Sequence, residues 1–165
     1  MNRKKVTVSA VAWLILLAVT LIFKVPIGNL GYLNVCDFVI MTVCMYMEPG
    51  AGMFYASTAT ALADIMLGYG YFAPYTFVIR GLQGWFIGYL AKRKVRRTYI
   101  IIIAEVIMLL GYGITYMVMY GSLQVMCAGI LQNMIQTALS AVLTAVCAPS
   151  AEKLKEQIFE SDQQE

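Results

Sequence analysis

Apolar stretches close to the roughly 20 residues that a helix needs to cross a bilayer recur along this chain, separated only by short polar breaks. That recurrence leaves few folds open. A water-soluble domain of 165 residues would need a far more polar surface than one in which 61% of residues are hydrophobic and 13% charged. The chain is expected to be an all-α integral membrane protein, with residues 1–165 forming a single domain and surrounded by lipid.

The spans predicted from punctuation lie at about 6–23, 35–47, 51–67, 74–91, 99–120 and 123–147, with a cytoplasmic tail over 148–165. Lys24 to Leu33, with Pro26, Gly28 and Gly31, has the punctuation of an ordered loop. Glu48-Pro49-Gly50 breaks the second helix, which is short for a span and carries Asp37 near its start. In the third, Ala59 and Ala63 have the small-xxx-small spacing that lets helix backbones approach. Pro74 suits the first turn of the fourth helix, where a missing N–H costs little. Beyond Pro149, Glu152 to Glu165 reads as a short solvated helix that frays into a tail.

Six spans put both termini on one side, and basic residues identify that side as cytoplasmic. Arg3, Lys4, Lys5, the Lys92 to Arg97 cluster, Lys153 and Lys155 supply ten of the twelve basic residues there. The opposite side holds Lys24, and Arg80 falls within the membrane. Asn2 to Phe23 imitates a signal peptide, but no small-residue cleavage site follows it. It is expected to be a retained helix in a multi-pass protein of a bacterial cell membrane.

The most informative stretch is Ala59 to Gly88, a helix end, an aromatic turn and a helix start. Asp64 precedes the turn and Arg80 follows it, and charges inside hydrocarbon normally face a cavity, a partner or an ion. An acid and base so placed suggest a polar pocket near the outer membrane surface. Ser57, Thr60 and Asp64 share one helix face, as do Asn133, Gln136 and Ser140. Thr76, Arg80 and Gln83 form a polar stripe, and Gly81, Gly84 and Gly88 a packing face. The plain alternatives are a structural ion pair, an interfacial aromatic belt and interhelical glue. Glu105 belongs nearer the cytoplasmic half, as a structural or partner-facing group.

Several chemistries are excluded. The chain has no histidine, and Cys36, Cys44, Cys127 and Cys147 stand singly in apolar surroundings, so no metal site is expected. There is no phosphate-binding loop of the G-x-x-x-x-G-K-[ST] kind and no serine beside a recognisable base. The basic residues punctuate helices rather than stripe a face, which argues against nucleic acid. Neither enzyme activity nor a cofactor is expected.

Three runs carry a resemblance: Gly31 to Asp37 (GYLNVCD), Ala61 to Tyr69 (ALADIMLGY) and Ala73 to Gly84 (APYTFVIRGLQG), with Gln132, Asn133 and Gln136 fitting the same pattern. Together they resemble the substrate-binding S components of energy-coupling factor (ECF) vitamin transporters. The similarity is to the riboflavin-type group, which in turn resembles proteins that handle hydroxymethylpyrimidine and pyridoxine. It implies a subunit that captures a vitamin or precursor from outside. Such a subunit topples in the membrane when docked on a transmembrane T component driven by two ATPases. Residue by residue it implies a pocket of Asn34, Asp37, Asp64, Tyr71, Arg80, Asn133 and Gln136, to which Tyr75 adds stacking surface and Gln83 a polar group. The docking motif A-x-x-x-A that such proteins often show on the first helix is here Ser9, Ala10 and Ala12, with Trp13 and Leu14 breaking the spacing. Ala141 and Ala145 offer close packing on the sixth helix.

The expected function is capture of a small aromatic water-soluble vitamin or precursor, of B6 or hydroxymethylpyrimidine type ahead of riboflavin. The alternatives are a membrane scaffold without transport and a stand-alone ion-coupled carrier.

Overall fold

The computed structural model describes residues 3–26 and 32–160. Six helices and one hairpin follow in chain order: α1 (Arg3–Ile22), β1 (Lys24–Pro26), β2 (Tyr32–Asn34), α2 (Cys36–Cys44), α3 (Pro49–Met66), α4 (Ala73–Lys92), α5 (Arg97–Tyr120) and α6 (Leu123–Glu160). The class is all-α apart from the antiparallel β1–β2 pair, in which Lys24 faces Asn34 and Pro26 faces Tyr32.

The outward face is apolar, and the interior holds polar and charged side chains beside an apolar core. Leu14, Phe54, Val78, Leu110, Leu131 and Val146 all point outward, more than half exposed. Asp37, Ser57, Thr60, Thr76, Arg80, Gln83 and Ser140 are buried. An apolar outer face with the polar groups turned inward suits hydrocarbon as the solvent. Among the described residues, Arg97–Tyr120 and the Leu123–Cys147 part of α6 are long and apolar enough to cross a membrane, and Ser9–Ile22 is a shorter apolar segment.

Small residues decide how the helices meet. A Cβ on Gly84 would lie 2.4 Å from the carbonyl oxygen of Gly52, so only glycine at both positions lets α3 and α4 touch along their backbones. Ala56, Ala59 and Ala63 continue that seam along α3, all fully buried. α1 leans on α3 through Trp13, whose indole N–H donates to Thr58 Oγ1 at 2.8 Å. The short α2 occupies the centre, with Ile40 and Met41 fully buried in a core that also takes in Leu16, Ile87 and Ala104.

Two elements depart from expectation. α2 has nine residues, or about 13 Å at 1.5 Å per residue, and so is shorter than the predicted 35–47. Glu48 precedes a proline and takes extended backbone (φ −61°, ψ 142°), the conformation that proline imposes on its predecessor. α6 runs the other way, through Pro149 to Glu160, with no separate helix beginning at Glu152. Its 38 residues reach about 57 Å, nearly twice the hydrocarbon thickness of about 30 Å. Pro149 removes one helical hydrogen bond, which is tolerable where water reaches the freed carbonyl. Arg97 Nη2, donating to Glu152 Oε1 at 3.1 Å, ties this extension to the start of α5.

Candidate functional site

α3 ends on Gly68, whose φ of +84° is the left-handed conformation that glycine adopts without strain. The N–H of Gly68 donates to the carbonyl of Ile65 at 3.2 Å, and that of Tyr69 to the carbonyl of Asp64 at 2.8 Å. This pair of bonds is the Schellman stop of a helix. It turns the chain sharply through Tyr69 and Gly70 into α4. The reversal brings Thr60 and Asp64 of α3 and Thr76 and Arg80 of α4 onto one cleft.

Arg80 does not pair with Asp64, so the plain alternative of a structural ion pair between those two does not hold. Its partner is Asp37 at the first turn of α2, and the pair is almost wholly shielded, at 3% and 0% exposure. Asp37 Oδ1 accepts from Arg80 Nη1 and from Gln83 Nε2 (3.0 Å). Asp37 Oδ2 accepts from Arg80 Nη2 (3.3 Å) and from Gln136 Nε2. Arg80 Nη1 also donates to Gln83 Oε1 at 2.8 Å. Gln136 Oε1 in turn accepts the Asn34 backbone N–H at 3.0 Å, while Asn34 Oδ1 accepts that of Cys36 at 2.7 Å. One buried network therefore binds α2, α4, α6 and the hairpin together. Removing a charged pair from water is costly unless every lone pair and proton is satisfied, and Asp37 is saturated here.

The cleft opens beside this network. Its walls come from α1 (Thr20), the hairpin (Tyr32, Asn34), α2 (Cys36), α3 (Thr60, Asp64), the start of α4 (Phe72, Thr76, Arg80), α5 (Tyr112, Tyr116) and α6 (Asn133, Gln136). Counted out to its open mouth, the cleft has a volume of about 460 Å³. That is within the range of small-molecule sites. Tyr32 reaches over it from β2 and donates its hydroxyl to Asp64 Oδ1 at 2.5 Å. Burial first and the Asp64 carboxylate second push the Tyr32 phenol above its ordinary pKa of 10.0, so the hydroxyl keeps its proton and remains the donor. Aromatic rings frame the space. Tyr32 lies 5.2 Å from Tyr69, Phe72 meets Tyr116 edge-on at 5.9 Å, and the Arg80 guanidinium stands 5.4 Å over Tyr112. The Tyr112 hydroxyl is 3.0 Å from that of Thr76.

Of the residues singled out from sequence, Asn34, Asp64, Arg80, Asn133 and Gln136 stand on the cleft wall. Asp37 and Gln83 lie behind it, fully buried in the network. Tyr71 is 46% exposed and Tyr75 half-buried, both off the wall. The turn aims Tyr71 outward, where it extends the aromatic run through Phe72 at 4.9 Å. Tyr32 and Thr20 were not singled out. Tyr32 was findable, because in a strand it shares a face with Asn34 two residues on. On α1, Ala10 is exposed while Ser9 and Ala12 are half-buried; on α6, Ala145 is exposed and Ala141 packs against the core.

Comparison with known proteins bears on this arrangement. A Pyrococcus woesei protein described as an uncharacterized protein in the gap 3′ region is 34% identical over 106 residues, which cover 62% of this chain and 71% of the relative. The family model of the ECF-type riboflavin transporter S component matches residues 1–152. The chain belongs to the ECF-type riboflavin transporter S component family, whose members are membrane-embedded, substrate-binding transporter subunits.

Proposed function

We propose that this protein captures a small, flat, polar aromatic vitamin or precursor from outside the cell and delivers it to an ECF transporter. The observation that carries the proposal is the cleft, lined by Tyr32, Phe72, Tyr112 and Tyr116 and by the polar groups of Asp64, Arg80, Asn133 and Gln136. Ligand sites combine apolar and aromatic walls with a few placed polar groups in this way. The family's name points to riboflavin. Within the proposed class a one-ring compound of B6 or hydroxymethylpyrimidine type is the favoured reading, with riboflavin as the alternative. In this reading Arg80, Asn133 and Gln136 orient the ring by hydrogen bonds, and Asp37 and Gln83 act from behind by holding Arg80 in place.

The partners in this proposal are a transmembrane T component and two ATPases, with transport by toppling of the loaded subunit. Ala10 lies on the exposed side of α1 beside Val11 and Leu14, a surface suited to helix docking. All six helices, including the short α2 within the bundle, make up the membrane domain, with both termini in the cytoplasm.

Reconstitution tests the whole. Liposomes holding the protein with a T component and ATPases should accumulate the ring compound only with ATP. Accumulation without those partners would instead support a stand-alone carrier. Labelling of single cysteines by a membrane-impermeant maleimide, in a background without the native four, tests the topology. Lys94→Cys should react only from the cytoplasmic side and Ser122→Cys only from outside.

A further inference from the structure

Among the described residues four charged side chains are buried, namely Asp37, Asp64, Arg80 and Glu105. That is three carboxylates against a single cation. Arg80 is committed to Asp37 through both terminal nitrogens, so it supplies no hydrogen bond to the other two. Glu105 accepts from Thr137 Oγ1 at 3.0 Å and lies off the cleft wall. Asp64 lies on the wall at 4% exposure. One of its oxygens takes the Tyr32 hydroxyl, while the other, Oδ2, is buried without a hydrogen-bond partner. Thr76 stands beside Asp64 as a weak donor at most, because its hydroxyl lies 3.0 Å from that of Tyr112 and Oδ2 has no partner in hydrogen-bonding geometry. A buried carboxylate oxygen left without a donor is costly, and the cost disappears when a donor arrives.

We infer that Asp64 Oδ2 is the anchor for a nitrogen-borne donor of the ligand, so that the protein selects heterocycles bearing an amino group or a protonated ring nitrogen over rings of the same shape without one. The inference rests on the capture reading above and adds its selectivity. Asp64 then stands between two donors, the Tyr32 hydroxyl on Oδ1 and the ligand nitrogen on Oδ2. The same carboxylate thus links the hairpin to the bound ring. Arg80 contributes the complementary feature, because its Nε–H is also buried without a partner. A ring with an acceptor elsewhere on its edge satisfies that donor, so the wall asks for one donor and one acceptor in a fixed sense.

The experiment is titration calorimetry on the purified full-length protein with three probes. They are 4-amino-5-hydroxymethyl-2-methylpyrimidine, its isostere with methyl in place of the amino group, and riboflavin. The amino compound should bind the wild type at least about tenfold more tightly than the methyl isostere, the scale of one charge-assisted hydrogen bond. In Asp64→Asn that preference should fall to within about threefold, because a neutral acceptor replaces a charged one. Equal binding of the two pyrimidines to the wild type, or an undiminished preference in Asp64→Asn, overturns the inference while capture stands. Riboflavin carries a ring N–H of its own, so binding of riboflavin alone supports the inference if Asp64→Asn weakens it about tenfold and overturns it if Asp64→Asn leaves it unchanged. Failure of all three probes, and of pyridoxine beside them, overturns the capture reading, and the inference with it. The wild-type comparison decides the matter even if the variant does not fold.

Discussion

Asp37→Ala is the perturbation from which the structure predicts the largest single loss. Asp37 accepts hydrogen bonds from both Arg80 terminal nitrogens, from Gln83 and from Gln136, and it is wholly buried. Truncation leaves the guanidinium at 3% exposure with no carboxylate bonded to it. Removing one partner of a buried ion pair costs about 3–5 kcal/mol, since the surviving charge stays desolvated. For a chain of this size each kcal/mol moves the melting temperature by roughly 2–4 °C, so the expected fall is about 6–20 °C. The assay is thermal unfolding of the detergent-solubilised protein, with Asp37→Leu, Arg80→Met and their combination measured beside it. The double variant removes both charges and fills the space, so it should recover to within about 2 kcal/mol of wild type. A loss below about 1 kcal/mol for Asp37→Ala, or a double variant whose loss equals the sum of the two singles, refutes the reasoning.

Three further outcomes follow from the packing and hydrogen bonds. Gly84→Ala puts a methyl 2.4 Å from the Gly52 carbonyl and should cost about 1–3 kcal/mol, whereas Gly50→Ala, with nothing within 4 Å, should be neutral or stabilising by up to about 1 kcal/mol in the same melt. Tyr32→Phe removes the donor to Asp64 and should speed hydrogen exchange across residues 32–34 while leaving the α3–α4 seam protected. Unchanged exchange there would mean that the hairpin is held by other contacts. Glu105→Gln replaces a buried carboxylate that has an unpartnered oxygen and no cation bonded to it, so the melt should shift by less than about 1 kcal/mol in either direction. A large loss would reveal a hidden partner for Glu105.

Sequence carried the helical architecture well because apolar length and Pro–Gly punctuation are local signals. Leu67-Gly68 and Pro74 mark the end of α3 and the start of α4 close to their observed places. The glycine face of α4 was equally legible, since Gly81, Gly84 and Gly88 lie three and four residues apart. Pairing was not legible. Asp37 lies 43 residues before Arg80, and nothing local distinguishes it from the nearer Asp64 as the arginine's partner. Only the central seating of α2 decides the choice. The run of α6 through Pro149 escaped for a related reason, because helix propensity stops at the proline while the contact between Arg97 and Glu152 lies beyond it. Tyr32 was missed because the stretch reads as a loop, and only as a strand does it put Tyr32 on one face with Asn34.

The most direct test of the central claim is native mass spectrometry of the detergent-purified protein, followed by identification of any small molecule it releases. The account predicts one nitrogen heterocycle per chain, depleted in Asp64→Ala protein, which keeps the buried pair of Asp37 and Arg80 intact. Wild-type protein that is empty, and that gains no thermal stability from a panel of pyrimidine, pyridoxine-type and flavin compounds, would contradict it.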